Sequence, residues 1–369
     1  MLWVDKYRPR QLDELHCHPG VTDLLRKLMD TRDFPHMMLY GPPGAGKKTR
    51  ISAFLRGVYG QGAEKMKVST RSFKIPPSNS TTVECQVLDS PYHIEVSPAD
   101  VGTGSRDTAI VQILVKETAS ALQPAMGDKH VSFKVVVINE VDRLSHQAQA
   151  ALRRTMEKYV GACRIIMTAN NFAKVLPPIR SRCLCIRVPS PTNQEIREVM
   201  HQIAVNENIT VPDDLVDRII AASGRDLRRA LLMLETAKIK HYPFKANQKP
   251  PLVAWEEFLE KEICDTIMKN QTPKGVIAVR SKYYDLMGCM IPADVILKTL
   301  VKMLLKKVSG DTLKSKIVTF AASFEHTMRL GAKEIFHLEA FTANVMSAIK
   351  QANTSQQQGG RAPSPSGGS

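Results

Sequence analysis

Met37-Met38-Leu39-Tyr40-Gly41-Pro42-Pro43-Gly44-Ala45-Gly46-Lys47-Lys48-Thr49 is the stretch that decides the fold. An apolar strand runs into a G-x-x-x-x-G-K loop, and an amphipathic helix is expected from about Lys47. That order makes a phosphate cradle. The glycines let backbone amides approach the phosphates, the helix N-terminus adds partial positive charge, and Lys47 adds a full one. The next position normally carries a Ser or Thr hydroxyl for Mg²⁺; here it is Lys48, with Thr49 one place late. The loop predicts a bound nucleotide, ATP or ADP, with one metal contact missing.

The second half of such a site is an apolar strand ending in two acids, one for the metal and one to polarise water. Val135-Val136-Val137-Ile138 supplies the strand, but it ends in Asn139-Glu140-Val141-Asp142. Glu140 keeps the general-base position. Asn139 is a neutral amide and binds a hard dication far more weakly than a carboxylate. Two magnesium contacts are therefore replaced, and Lys48 brings a cation close to where the metal would sit. Poor hydrolysis is the expectation.

The rest of the chain sets limits. Its 369 residues suffice for two or three domains, and 43% hydrophobic with 24% charged residues is a globular composition. No apolar run approaches the ~20 residues that span a bilayer, and Met1-Leu2-Trp3-Val4-Asp5-Lys6 lacks a signal-peptide layout, so no membrane role is expected. Seven scattered cysteines argue for a reducing compartment. Cys183 and Cys185 have no second pair at zinc spacing and read, like the others, as small buried apolar residues. The net charge of +15 is concentrated: from Arg143 to Arg187 there are nine Lys or Arg and one acid, Glu157, which points to an anionic partner such as nucleic acid.

Strands are expected at 36–40, 92–96, 134–138, 164–168 and 183–188, alternating with amphipathic stretches in the manner of a parallel sheet with crossover helices. The Ser-, Thr- and Pro-rich 69–83 reads as a hairpin or surface loop. After a Pro189–Thr192 linker, Asn193–Asn206, Asp213–Ala222 and Asp226–Ile239 are helix-periodic. A nearly all-helical segment follows the prolines at 243, 250 and 251. In Pro292–Val308, Val295, Ile296, Leu300, Met303 and Leu304 recur at helical spacing opposite Lys298, Lys302, Lys306 and Lys307. Packing within a bundle accounts for that pattern better than nucleic-acid binding. Residues 353–369, rich in Gln, Gly, Ser and Pro, are expected to be a disordered tail.

Trp3-Val4-Asp5-Lys6-Tyr7-Arg8-Pro9, Ala151-Leu152-Arg153-Arg154-Thr155-Met156-Glu157 and Pro178-Ile179-Arg180-Ser181-Arg182-Cys183 complete the pattern. With the loop, and in this order, they resemble the boxes of the replication factor C small subunits, which are AAA+ clamp loaders. The resemblance covers residues 1 to about 352. It implies an α/β P-loop AAA+ module (a parallel sheet with flanking helices) over 1–188, a helical lid domain over 189–240 and an all-helical collar over 241–352. Within the family, G-K-K-T and the missing first acid resemble the subunits with degenerate ATPase motifs, which bind nucleotide with little or no hydrolysis.

The resemblance also implies roles. Asn170 matches the first sensor, which holds attacking water near the γ-phosphate; the alternative is an ordinary loop Asn. Arg228, in Gly224-Arg225-Asp226-Leu227-Arg228, matches the second sensor, which reaches its own subunit's phosphates; the alternative is a surface salt bridge. Val4, Tyr7, Arg8 and Pro9 would cover the adenine, or be only a docked terminus. Arg182 matches the arginine finger given in trans to a neighbour's ATP site, where a permanent guanidinium charge stabilises the transition state. No acid lies near Arg182 in sequence, so a structural ion pair would need a partner from elsewhere in the fold. Arg106, before a helix expected over Asp107–Ala121, and Arg153 and Arg154 are candidate DNA contacts, with surface or interface salt bridges as the alternative.

The implied partners are one large and three other small subunits, the sliding clamp PCNA and primer-template DNA, onto which the pentamer loads the clamp in the nucleus during replication and repair. Related loaders use alternative large subunits and the checkpoint clamp. Two rival readings are weaker. Asn139 and Lys48 speak against an autonomous P-loop ATPase, and Arg182 speaks against a purely structural scaffold.

Overall fold

The computed structural model describes residues 1–74, 82–102, 105–120, 133–245, 248, 250–251, 253–331 and 333–359. It divides into two compact units, Met1–Pro251 and Leu252–Ser369.

The first unit opens with a short helix α1 (Trp3–Lys6) and a longer α2 (Pro19–Thr31), followed by β1 (Met37–Tyr40) and α3 (Lys47–Tyr59). Next come β2 (Lys67–Lys74), β3 (Thr82–Asp89), β4 (His93–Val96) and α4 (Ser105–Ser120). After β5 (Lys134–Ile138) come α5 (His146–Lys158), β6 (Cys163–Ala169), the single turn α6 (Pro177–Arg180) and β7 (Leu184–Arg187). The strands form one seven-stranded sheet in the order β2-β3-β4-β5-β6-β1-β7.

From β4 to β7 every pairing is parallel. These strands are apolar almost throughout because both faces are covered by helices. In β5, Val135 and Val137 join Phe54 of α3 in one core layer, while Val136 and Ile138 join Ile110 of α4 and Leu152 of α5 in the other.

The sheet is not wholly parallel, which corrects the expectation. β3 runs antiparallel to both β2 and β4. The hairpin reading of 69–83 fits this pairing better than the loop reading, and residues 75–81 lie outside the described residues. Thr82–Asp89 alternates exposed and buried positions from Thr82 to Val87, the pattern of a strand with one face in solvent.

Three helices complete this unit: α7 (Asn193–Asn206), α8 (Asp213–Ser223) and α9 (Leu227–Lys240). A reciprocal Thr192–Glu195 capping box starts α7, and Asp226 caps α9 by accepting from the Arg229 N–H at 3.0 Å. Ile196, Met200, Ile219 and Leu234 form their core, and Trp3 of α1 is buried in it.

The second unit is helical. It comprises α10 (Ala254–Phe258), a π-helical stretch Leu259–Cys264, α11 (Asp265–Lys269), α12 (Pro273–Gly288), α13 (Ala293–Lys307), α14 (Asp311–Leu330) and α15 (Glu334–Gly359). Its core includes Ile296, Leu300 and Leu304 of α13, as the periodicity predicts, together with Phe341 and Val345 of α15. Val295 remains 38% exposed. Lys298 pairs with Asp294 and Glu325, and Lys307 with Asp265 and Glu260.

α15 continues to Gly359, past the expected start of the tail at 353. Extending a formed helix costs little, and glutamines are fair helix formers. Residues 360–369 of the expected tail lie outside the described residues. Of the cysteines, Cys17, Cys85, Cys163 and Cys264 are buried, Cys183 and Cys185 are half-buried, and Cys289 is exposed, contrary to expectation.

Candidate nucleotide-binding site

A cleft of about 900 Å³ opens where the glycine loop, the N-terminal segment, α7 and α9 meet. That size suits a nucleotide. Val4, Tyr7, Arg8 and Pro9 form one wall, Gly44, Ala45, Gly46 and Thr49 the floor, and Arg228 with Leu231 the side belonging to α9. The structure thus gathers nine of the residues singled out from the sequence around one cavity. Gly41, Pro42, Pro43, Lys47 and Lys48 are not among its lining residues.

The wall is anchored from behind. Trp3, 5% exposed, donates its backbone N–H to Glu235, and Lys238 lies over its ring. The Tyr7 hydroxyl and the Lys6 ammonium both donate to Glu207, each at 2.6 Å. These hydrogen bonds pull the Glu207 carboxyl down to about 2. Arg8 donates from Nε to the Thr49 hydroxyl at 3.2 Å, tying the wall to the first turn of α3.

The floor is held by two contacts that the sequence did not reveal. Buried Arg50 donates to the carbonyls of Ala45 and Cys17, joining the loop to the N-terminal segment. At Gly44, with φ +72°, a Cβ would lie 1.9 Å from Oδ1 of Asp226, so a side chain here would collide with the cap of α9. Arg225 donates to the carbonyls of Pro191 and Ser190, fixing α9 to the linker.

Lys47 is 8% exposed and donates to the carbonyls of Gly41 and Pro42 and to Oδ1 of Asn170, at 2.7, 2.8 and 2.8 Å. All three ammonium protons are in use, and taking a phosphate oxygen requires giving one up. Burial lowers its pKa; Asp142 and Glu140 oppose the shift, and Arg228 adds to it. Asn170 thus meets the loop lysine at the end of β6. Asp142 holds it there by accepting from the backbone N–H groups of Asn170 and Asn171 at 3.0 and 3.1 Å.

Glu140 adopts a left-handed backbone, φ +53°, rare for a residue with a side chain. Its N–H donates to the Thr168 hydroxyl at 3.0 Å, and its carboxylate accepts from Arg143 at 2.7 Å. Glu140, the expected general base, is therefore ion-paired.

Asn139 is 1% exposed, and both ends of its amide are engaged. Nδ2 donates to Oε1 of Glu95 at 2.7 Å, and Oδ1 accepts from the Thr168 hydroxyl at 3.3 Å. Lys48 Nζ lies 3.9 Å from the same Glu95 oxygen. The two residues expected from the sequence to replace metal contacts, Asn139 and Lys48, therefore converge on Glu95, a carboxylate on β4 that sequence reasoning missed. Its signal was an acid near the end of the otherwise apolar His93-Ile94-Glu95-Val96. The side chains present do not fit a magnesium ion, which needs a near-octahedral oxygen set. The amide is spent, the Thr49 hydroxyl accepts from Arg8, and an ammonium stands against the nearest carboxylate.

Away from the cleft, the two arginines of Arg180-Ser181-Arg182 part company. Arg180 stacks on Phe172, whereas Arg182 is exposed. Arg182 is nevertheless ion-paired, with a partner from elsewhere in the fold, the alternative that the sequence left open. Glu157 of α5, distant in sequence, accepts from Arg182 at 2.6 Å, and Pro178 O accepts from it at 2.8 Å. Arg153, one turn earlier on α5, shares Glu157 at 3.6 Å. Arg106 and Arg154 are exposed.

A parallel-centred sheet with this loop between β1 and α3, a second acidic strand end on β5, a polar residue ending β6 and a three-helix lid bearing Arg228 defines an AAA+ P-loop module. Three family models match: DNA polymerase III, delta subunit, over residues 17–192; RCF1/5-like AAA+ ATPase lid domain over 198–239; and Replication factor C subunit 3, C-terminal domain, over 255–353. Replication factor C subunit 5 of Oryza sativa subsp. japonica is 46% identical over 95% of this chain and 98% of its own. Replication factor C subunit 3 of Arabidopsis thaliana is 45% identical over 95% and 98%, and that of Homo sapiens 42% over 95% and 96%. The chain belongs to the replication factor C subunit family.

Proposed function

We propose that this chain is a nucleotide-binding subunit of a heteropentameric clamp loader, that it hydrolyses its own ATP weakly or not at all, and that it lends Arg182 to a neighbour's site. The observation that carries the reading is the amide of Asn139 bound to Glu95 with Lys48 beside it. The phosphate loop, both sensor positions and the N-terminal wall are retained, while the carboxylate that would hold magnesium is absent. ATP or ADP is the ligand.

The proposed organisation keeps 1–188 as the AAA+ module, 189–240 as the lid, 241–352 as the collar that joins subunits, and 353–369 as a tail. Family membership supports the partners: one large and three other small subunits, the PCNA clamp and primer-template DNA, in the nucleus. The exposed Arg106, Arg153 and Arg154 are the proposed phosphate contacts, independent of base sequence and sensitive to salt. In the free chain Glu157 stores the finger, and a neighbour's nucleotide must draw Arg182 away from it.

The test is Arg182→Ala in the reconstituted pentamer. An arginine finger is worth ~10³-fold or more at the site that receives it. The neighbour's share of ATP turnover should therefore vanish while nucleotide affinity of this subunit stays unchanged. Unaltered turnover of the complex would remove the finger assignment.

A further inference from the structure

We infer that Lys48 and Glu95 form a built-in counter-charge in place of the divalent metal, so that this site holds nucleotide phosphates without Mg²⁺. The inference rests on the nucleotide-binding reading above and deepens it.

The argument is one of charge balance. A site with a carboxylate at 139 beside Glu95 would carry two negative charges, which a dication neutralises. Here an amide replaces one carboxylate and an ammonium replaces the hydroxyl ligand, and the pair Lys48 and Glu95 is again neutral. The two replacements depend on each other. An aspartate in place of Asn139 would bring a second carboxylate close to Glu95, from which the amide nitrogen now stands at 2.7 Å. Two carboxylates at that range repel until a proton or a cation comes between them. The amide removes the repulsion by donating a hydrogen bond instead.

Lys48 is suited to the role. It occupies the first turn of α3, directly after the loop lysine. Its side chain is 42% exposed, whereas that of Glu95 is 18% exposed. The hydrogen bond from Asn139 at 2.7 Å fixes the carboxylate, and the ammonium, 3.9 Å from it, can turn a proton toward a phosphate oxygen. An ammonium is a compact charge with three donors and needs none of the octahedral oxygen set that magnesium demands.

The test measures ADP binding to the full chain by calorimetry, with Mg²⁺ and again with EDTA. The wild type should bind within about twofold in the two conditions, since no metal contact is lost. A charge-assisted hydrogen bond is worth about tenfold or more. Lys48→Ala should therefore weaken binding in EDTA by at least that factor, and Lys48→Arg, which keeps a cation, should recover most of it. Lys48→Thr with Asn139→Asp should become metal-dependent, binding at least about tenfold more weakly in EDTA. A wild type that loses tenfold or more in EDTA would overturn the inference while leaving nucleotide binding intact. If the wild type failed to bind ADP in either condition, the nucleotide-binding reading itself would fall.

Discussion

Replacing Gly44 by alanine probes the joint between the phosphate loop and the lid. Gly44 has φ +72°, a region that disfavours a Cβ by roughly 1–2 kcal/mol. The new methyl would also lie 1.9 Å from Oδ1 and 2.3 Å from Cγ of Asp226, well inside contact distance. Asp226 must then turn away from the Arg229 N–H, at a cost of about 1 kcal/mol for the lost cap, or α9 must retreat from the loop. The sum is roughly 2–3 kcal/mol against the closed cleft, equivalent to about 30- to 150-fold in nucleotide affinity where the lid must close to bind. Fluorescent ADP titration beside thermal unfolding separates the two contributions. Gly60→Ala is the control, because Gly60 has φ +76° with nothing within 4 Å of an added Cβ. Its ψ of −164° lies where glycine alone is comfortable, so the control should lower stability by at least the same backbone increment and leave affinity alone. If Gly44→Ala bound ADP within about threefold of the wild type, the close approach of Asp226 would not govern the site.

Trp3→Ala empties a position 5% exposed and should destabilise the first unit by about 3–5 kcal/mol, with nucleotide affinity falling as the wall bearing Val4 and Tyr7 detaches; chemical denaturation and ADP titration read the two effects. Glu207 holds Lys6 and Tyr7 only while ionised. Its folded pKa is depressed, so this contribution is fully present above 4.5, the ordinary value, and is lost as pH falls toward about 2. Glu207→Gln should abolish that acid-dependent loosening, followed by limited proteolysis of the N-terminal segment across that range. In the second unit, Tyr283→Phe removes a hydroxyl bonded to Thr342 at 2.7 Å, but Thr342 also donates to Leu338 O. A loss of only about 1 kcal/mol is expected, since no buried donor is stranded.

The loop, its flanking strand and the lid helices were legible because each carries a local signal: glycines at fixed spacing, the apolar run Met37–Tyr40, and helical periodicity from Asn193 onward. The antiparallel edge was harder to read, since the alternation over Thr82–Val87 begins at the end of a Ser-, Thr- and Pro-rich stretch and breaks at Leu88. Within the site, the N-terminal wall, Gly44–Gly46 and Thr49 of the loop motif, and Arg228 gathered around the cleft. Residues that act by meeting across the fold did not announce themselves. Glu95 is joined to Asn139 and Lys48 by the packing of β4 beside β5 and the first turn of α3. Glu157 reaches Arg182 only because α5 and α6 pack together. Asp142 was visible as an acid, yet its task of holding the Asn170 and Asn171 amides depends on β6 ending beside it. Burial of Arg50 had no local cue, since a charged residue in an amphipathic helix normally faces solvent.

The most direct test of the account is single-turnover ATP hydrolysis by the isolated full chain, with nucleotide occupancy measured in the same sample in the presence of Mg²⁺. Bound ATP that remains ATP, with Lys48→Thr/Asn139→Asp converting it to ADP faster, is the predicted result. Brisk hydrolysis by the wild-type chain would contradict the claim that Asn139, Glu95 and Lys48 have turned a catalytic metal site into one that only holds nucleotide.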